Sequence, residues 1–176
     1  MKILLDQIIE APKTIVFSEK VDELNLIYAE DSDRDFRFPP SVEVSLEYYR
    51  SGRELFFRGR LEGVIEGRCA RCVEDYRFPI EKSFSFVLTP EPFSPKNKEL
   101  NRDELGLSFY SAQEIDLYPF IREQVLLALP TRPLCKVGCR GLCGGCGANL
   151  NNEVCHCVSS PGDPRLTLFQ TLKLGQ

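Results

Sequence analysis

Histidine is almost missing from these 176 residues: there is one, His156. A nucleophilic cysteine is therefore left with a single candidate base, and that base lies between Cys155 and Cys157, where it is expected to point away from the two sulfurs. Positive charge is also short. Lys and Arg number 22 against 26 Asp and Glu, for a formal net charge of −4. The chain as a whole thus has no general electrostatic grip on nucleic acid or on an anionic membrane. No charge-free run approaches the roughly 18 apolar residues that span a bilayer. Asp6 interrupts the opening Met1-Lys-Ile-Leu-Leu before it forms the apolar core of about 7–15 residues of a signal peptide. Repeats and low-complexity tracts are absent. The expectation is a cytoplasmic chain with no membrane association, its thiols reduced or metal-bound rather than joined as disulfides.

What the chain does have is cysteine: eight in all, six of them between Cys135 and Cys157. Cys143-Gly-Gly-Cys146 and Cys155-His-Cys157 are two close thiol pairs joined by a short loop rich in Gly and Asn. A zinc ion takes four soft ligands in a tetrahedron, about 2.3 Å from each sulfur, and a C-x-x-C turn bends two sulfurs toward one point. Gly144, Gly145 and Gly147 are expected to supply the positive φ and close backbone approach of such turns. Cys143, Cys146, Cys155 and Cys157 form one candidate site. Cys69-Ala-Arg-Cys72 and the pair Cys135 and Cys139 form a second, which would pin residues near 70 to residues near 137 and convert metal affinity into folding energy. Two zinc ions per chain are expected. A thiol oxidoreductase built on Cys69 and Cys72 is the competing chemistry, but Cys69 follows a strand pattern and no helix signal follows to depress its pKa. An iron–sulfur cluster also takes four thiols, yet separated pairs at ribbon spacing favour zinc.

Strand signals dominate the first ninety residues. Thr14–Phe17 and Leu24–Tyr28 read as short strands, and Asp31–Pro40 as a charged loop closed by Pro39-Pro40. Val42, Val44, Leu46 and Tyr48 alternate with polar residues, Ser51-Gly52 marks a hairpin turn, and Leu55, Phe57, Gly59, Leu61, Gly63, Ile65 and Gly67 continue the alternation. Glycines on that parity predict bending or close approach of another strand. Cys69 to Cys72 then fall at a hairpin tip, with Tyr76, Phe78, Ile80, Phe84, Phe86 and Leu88 on the returning strand. Pro90 to Leu105 reads as a connecting loop. Helix signals come late: Asp116 as cap and Pro119 in the first turn open a helix with Leu117, Ile121, Val125 and Ala128 on one side, ended by Pro130. Asp163-Pro164 opens a second, over Arg165 to Lys173.

Arg132, Lys136 and Arg140 stand in an acid-free stretch, and Arg68 and Arg71 flank the first C-x-x-C. If the second site forms, these five converge as a candidate RNA-binding patch. The bland account is that they offset the charge of −2 that four thiolates leave on one zinc.

Cys69-Ala-Arg-Cys72-Val-Glu in a β region, the helix IDLYPFIREQVLLALP, the run C-x3-C-x-GLC-x2-CG-x-NLN-x3-C-x-C and a closing DPRL together resemble the YceD family, the large ribosomal RNA subunit accumulation proteins. The resemblance covers most of residues 60–172. It implies a small cytosolic bacterial factor, with chloroplast relatives, needed for normal accumulation of 23S rRNA, and no catalytic residues. The fold expected is α+β: mainly an antiparallel β-sheet or partial barrel, with one or two late helices and a C-terminal zinc knuckle or ribbon. Residues 1–130 form the β region with its closing helix, and residues 131–176 the cysteine-rich segment and C-terminal helix, packed together as one domain. Three functions follow: a non-enzymatic zinc-binding factor acting on 23S rRNA or large-subunit assembly intermediates, a module that binds ribosomal or RNA-processing proteins without touching RNA, and the thiol oxidoreductase.

Overall fold

Alternation of apolar and polar residues builds the body of the protein, whose computed structural model describes residues 1–27, 35–90, 107–111 and 113–157. The expected loop beyond Pro90 and the expected helix from Arg165 lie outside the described residues. In chain order the elements are β1 (Lys2–Leu4), a 3-10 turn (Leu5–Gln7), β2 (Lys13–Lys20), a single helical turn α1 (Leu24–Ile27), β3 (Phe36–Arg37), β4 (Ser41–Ser51), β5 (Glu54–Arg68), β6 (Asp75–Pro90), β7 (Leu107–Tyr110), β8 (Glu114–Asp116) and α2 (Tyr118–Leu127). On β4 the alternating residues Val42, Val44, Leu46 and Tyr48 are buried, and on β5 Leu55, Phe57, Leu61 and Ile65 are their counterparts. Gly52, at φ 60°, turns the chain between these strands.

The main sheet runs β2-β4-β5-β6-β7, with β3 pairing with the far end of β5, and β1 pairs with β8 in a separate two-stranded ribbon. The order ends at β2 and β7, so the sheet is open rather than a closed barrel. One edge departs from the antiparallel expectation: β7 lies parallel to β6, with Leu88 opposite Ser108. Gly59 faces Phe84 directly across the β5–β6 ladder, and a Cβ at Gly59 would collide with the Phe84 ring. The glycine on the buried parity is thus a seat for a neighbouring aromatic, one of its two expected roles. Phe57, Phe86 and Phe120 stack at centroid distances of 4.7 and 4.5 Å and carry the packing from sheet to helix.

The α2 segment follows its sequence pattern. Asp116 Oδ1 accepts the Tyr118 N–H at 3.0 Å, from one position ahead of the helix N-cap Leu117. Leu117, Ile121 and Val125 are fully buried against the sheet. The segment from Leu24 does not: expected as a strand, it forms a helical turn over Leu24–Ile27. Asn25 explains the difference, since its side chain accepts the Phe38 N–H at 2.9 Å and donates to the Phe38 carbonyl at 3.0 Å. That pairing anchors the turn while Leu24 enters the core and Leu26 stays in solvent. So short an apolar run has no intrinsic preference strong enough to resist such tertiary contacts.

Candidate metal centres

The β5–β6 hairpin ends with Arg68 opposite Asp75, and the six residues between them form the tip that carries Cys69 and Cys72. Cys69 N–H bonds the Glu74 carbonyl at 2.9 Å, and Val73 N–H bonds the Cys69 carbonyl at 2.9 Å. Val73 adopts a φ of 61°, which a β-branched residue rarely takes. The late loop repeats this turn. Gly147 N–H bonds the Cys143 carbonyl at 2.9 Å, and Gly147 has a φ of 76°. Gly147 alone of the three expected glycines takes a positive φ; Gly145 matters for space, because a Cβ there would come within 3.2 Å of the Cys157 sulfur.

Two groups of four sulfurs result, Cys69, Cys72, Cys135 and Cys139 in one and Cys143, Cys146, Cys155 and Cys157 in the other, each with all its sulfurs within 4.8 Å of one another. In the first, Cys69 and Cys139 sulfurs are 3.8 Å apart and those of Cys72 and Cys135 3.7 Å apart. In the second, the Cys143 sulfur is 3.2 Å from that of Cys155 and 3.9 Å from that of Cys157, and the Cys146 and Cys155 sulfurs are 3.8 Å apart. A regular tetrahedron with metal–sulfur bonds of about 2.3 Å has sulfur–sulfur edges of about 3.8 Å. The donor sets and spacing suit one four-coordinate, thiophilic ion in each group. His156 is exposed and contributes to neither.

The electrostatics of the thiols point the same way. Burial pushes the Cys69 thiol up, but backbone N–H groups of Cys135, Cys72 and Arg71 aimed at its sulfur outweigh this and bring it down to about 6. Cys72 is pushed up to about 12, by burial first and then by the neighbouring sulfurs. In the late group the backbone N–H groups of Cys146 and Gly145 lower Cys143 to about 6, while the sulfurs of Cys146, Cys155 and Cys143 drive Cys157 up to about 12. Each group holds a ready thiolate beside a thiol that resists ionising next to it. A divalent cation removes that conflict by taking all four as thiolates.

Residues 57–174 match the family model described as Large ribosomal RNA subunit accumulation protein YceD. The chain belongs to the YceD family. It is 28% identical, over 151 residues covering 70% of this chain and 46% of the relative, to the Arabidopsis thaliana protein named "Large ribosomal RNA subunit accumulation protein YCED homolog 1, chloroplastic". The Zea mays protein of the same name is 29% identical over 142 residues, covering 66% of this chain and 48% of its own. An uncharacterized protein of Mycobacterium bovis is 34% identical over 115 residues, covering 65% of this chain and 54% of its own. The chain thus spans about half the length of the curated relatives it matches. No solved structure matches it significantly. Both four-sulfur groups of this YceD protein lie inside the matched region.

Beyond the cysteines, the arrangement draws in residues that spacing does not single out. Asn151 donates its side-chain amide to the Cys139 sulfur and to Asn149 Oδ1, and Asn149 donates to Glu74 Oε1 at 2.8 Å. Glu74 Oε2 lies 4.0 Å from the Cys72 sulfur. The Asn149-Leu-Asn151 triplet therefore reaches from the late loop to both halves of the first group. Its signal in the sequence was only its place in the family pattern, since an asparagine in a glycine-rich loop reads as a turn residue.

The five cations sit around the first group. Arg68 is partly buried, its Nε 3.5 Å from Asp75 Oδ1 in an ion pair without hydrogen-bond geometry. Arg71 donates Nη1 to the Cys139 carbonyl at 2.8 Å. Arg132 adjoins Pro133, whose carbonyl takes the Ala70 N–H at 2.8 Å. Lys136 and Arg140 flank the Cys139 turn; both are exposed, as is Arg132. No helix among the described residues is long and apolar enough to cross a membrane.

Proposed function

We propose that this chain is a non-enzymatic factor in the accumulation of large-subunit ribosomal RNA, 23S rRNA in bacteria, and that two zinc ions hold its working end together. The observation that carries the reading is the placement of both four-sulfur groups, at tetrahedral spacing, within the stretch that matches the family model. Zinc is the ion that four thiolates in a closed tetrahedron most commonly hold, and such a site is structural rather than catalytic. The partners in this reading are 23S rRNA or large-subunit assembly intermediates, met in the cytoplasm; the plant relatives carry "chloroplastic" in their names. Against the oxidoreductase reading stands the geometry at the hairpin tip: Cys69 and Cys72 each face a sulfur of the 135–139 turn.

Depleting the protein from cells and measuring the ratio of 23S to 16S rRNA tests the function. The ratio is expected to fall and to recover with the parent chain, but not with Cys72→Ser/Cys139→Ser. An unchanged ratio on depletion would end this reading. Elemental analysis of protein purified without added metal should give about two zinc per chain. A metal-free protein with a reversible Cys69–Cys72 disulfide would instead support the oxidoreductase.

A further inference from the structure

Around the first centre, acids and cations are disposed unequally. Three acids beside the centre are engaged: Glu74 takes the Asn149 amide at 2.8 Å, Glu153 takes the Asn149 N–H at 3.0 Å, and Asp75 is ion-paired with Arg68 at 3.5 Å. The exposed cations are the reverse. Among the described residues no ion pair involves Arg132, Lys136 or Arg140.

The simplest alternative use for these cations is to neutralise the thiolates. The hydrogen bonds to sulfur argue against it. The Cys139 sulfur takes the Asn151 amide at 3.4 Å, Cys143 takes the Gly145 N–H at 3.5 Å and Cys155 takes the Cys157 N–H at 3.3 Å. Each of these donors is an uncharged amide, and the Arg71 guanidinium is turned to the Cys139 carbonyl oxygen rather than to a sulfur. The sulfurs are served by dipoles and the cations face outward. Between Lys136 and Gly138, Val137 is 95% exposed, an apolar side chain with no place in the core. The Cys135–Cys139 turn thus holds one cation, Lys136, and an exposed valine out on a frame fixed by four sulfurs, and a second cation, Arg140, follows directly after Cys139.

We propose that the rim formed by Arg132, Lys136 and Arg140, with Val137 between them, is a binding surface for the phosphate backbone of single-stranded RNA. The inference rests on the rRNA reading above and adds which surface meets the RNA and by what chemistry. Polyanion is the partner that unpaired cations among satisfied acids select, and a protruding apolar tip offers contact to an unstacked base, which single strands expose and duplexes do not. An acidic protein would meet the same charges and is the outcome the experiment must separate.

The test measures binding of a fluorescein-labelled 20-nucleotide oligouridylate to the zinc-loaded full chain across a salt series. Arg132, Lys136 and Arg140 are replaced together by Gln, and Arg71 is spared because its guanidinium holds the Cys139 carbonyl. A control replaces Lys13, Lys20 and Arg53, three exposed cations away from the rim, so both variants lose the same charge. The rim variant should keep about two zinc per chain. Its log–log salt slope should flatten by roughly 2, at about 0.7 per phosphate contact, which at 0.1 M salt is on the order of a hundredfold weaker binding. The control should match the parent. Equal weakening in both variants overturns the proposal in favour of net charge alone. No binding by the parent also overturns it; if depletion still lowers 23S rRNA, the accumulation reading survives and a protein partner becomes its route.

Discussion

Asn151 donates its side-chain amide to the sulfur of Cys139 across 3.4 Å and accepts the Arg140 N–H on its carbonyl oxygen at 2.9 Å. Asn151 itself lies within the loop that Cys143 and Cys155 close, where Leu142 bridges Asn149 and Cys143 N–H bonds the Ala148 carbonyl at 2.8 Å. The two sulfur groups therefore share a part: closing the late loop sets the donor that orients a ligand of the first.

Replacing Asn151 by Leu keeps the bulk and removes the N–H···S bond. Outer donors of this kind contribute about 10–100-fold in metal affinity. Competition with a chromogenic chelator should show one of the two ions released correspondingly earlier. Repeating the measurement in a Cys72→Ser background, which leaves only the late centre with its loop closed, identifies the ion affected. Earlier release that persists in that background would mean that Asn151 does not act through Cys139.

Loss of a ligand should have unequal consequences in the two centres. Cys72 and Cys135 are 63 positions apart in the chain, Cys143 and Cys155 only 12. Loop-closure entropy alone makes the longer link worth about 1.5 kcal/mol more. Limited proteolysis should find Cys72→Ser opened between the hairpin and the segment after Pro130, and Cys143→Ser loosened only within its loop. A Cys72→Ser protein as compact as the parent, with Cys143→Ser globally unfolded, would reverse the assignment.

The two C-x-x-C turns have the same backbone but different residues in the left-handed position, Val73 with φ 61° and Gly147 with φ 76°. That conformation costs a side-chain-bearing residue about 1–2 kcal/mol. Val73→Gly relieves the strain but loosens the unfolded chain, so the net gain in thermal stability should be below 1–2 kcal/mol. Gly147→Val should destabilise and speed zinc loss from the late group alone. Equal behaviour of the two exchanges would show that the turns are not equivalent.

Gly59 tolerates no side chain while Phe84 lies over it. Overpacking of this kind costs about 1–3 kcal/mol. Urea unfolding should show Gly59→Ala destabilised by that amount, and Gly59→Ala/Phe84→Leu should recover part of it. An additive double variant would place the strain elsewhere.

Much of this was legible in the sequence because it depends on period or spacing. The alternation of Val42 to Tyr48 and of Leu55 to Ile65 identified β4 and β5 and their buried faces. Pairs of cysteines, taken four at a time, named the same two groups that the fold assembles. What was not legible depends on partners distant in sequence. Leu24 turns helical because Asn25 meets Phe38, thirteen positions on. The parallel edge is set by β7 docking on β6 beyond a segment whose pattern holds no direction. Asn151 became a partner of Cys139 only once the late loop had folded back.

The long β5–β6 hairpin has an electrostatic consequence. From Leu55, paired with Leu88, to Arg68, paired with Asp75, the ladder runs 14 registers, on the order of 45 Å along the strands. The Debye length at physiological salt is about 8 Å. Acidic residues near the base of the hairpin, such as Glu47 and Glu54, are therefore several screening lengths from the cysteine-bearing tip, and along it Glu62 and Glu81 are paired with Arg60, and Glu66 with Arg37 and Arg77. A polyanion approaching the tip therefore feels the local cations far more strongly than the acids at the base of the hairpin.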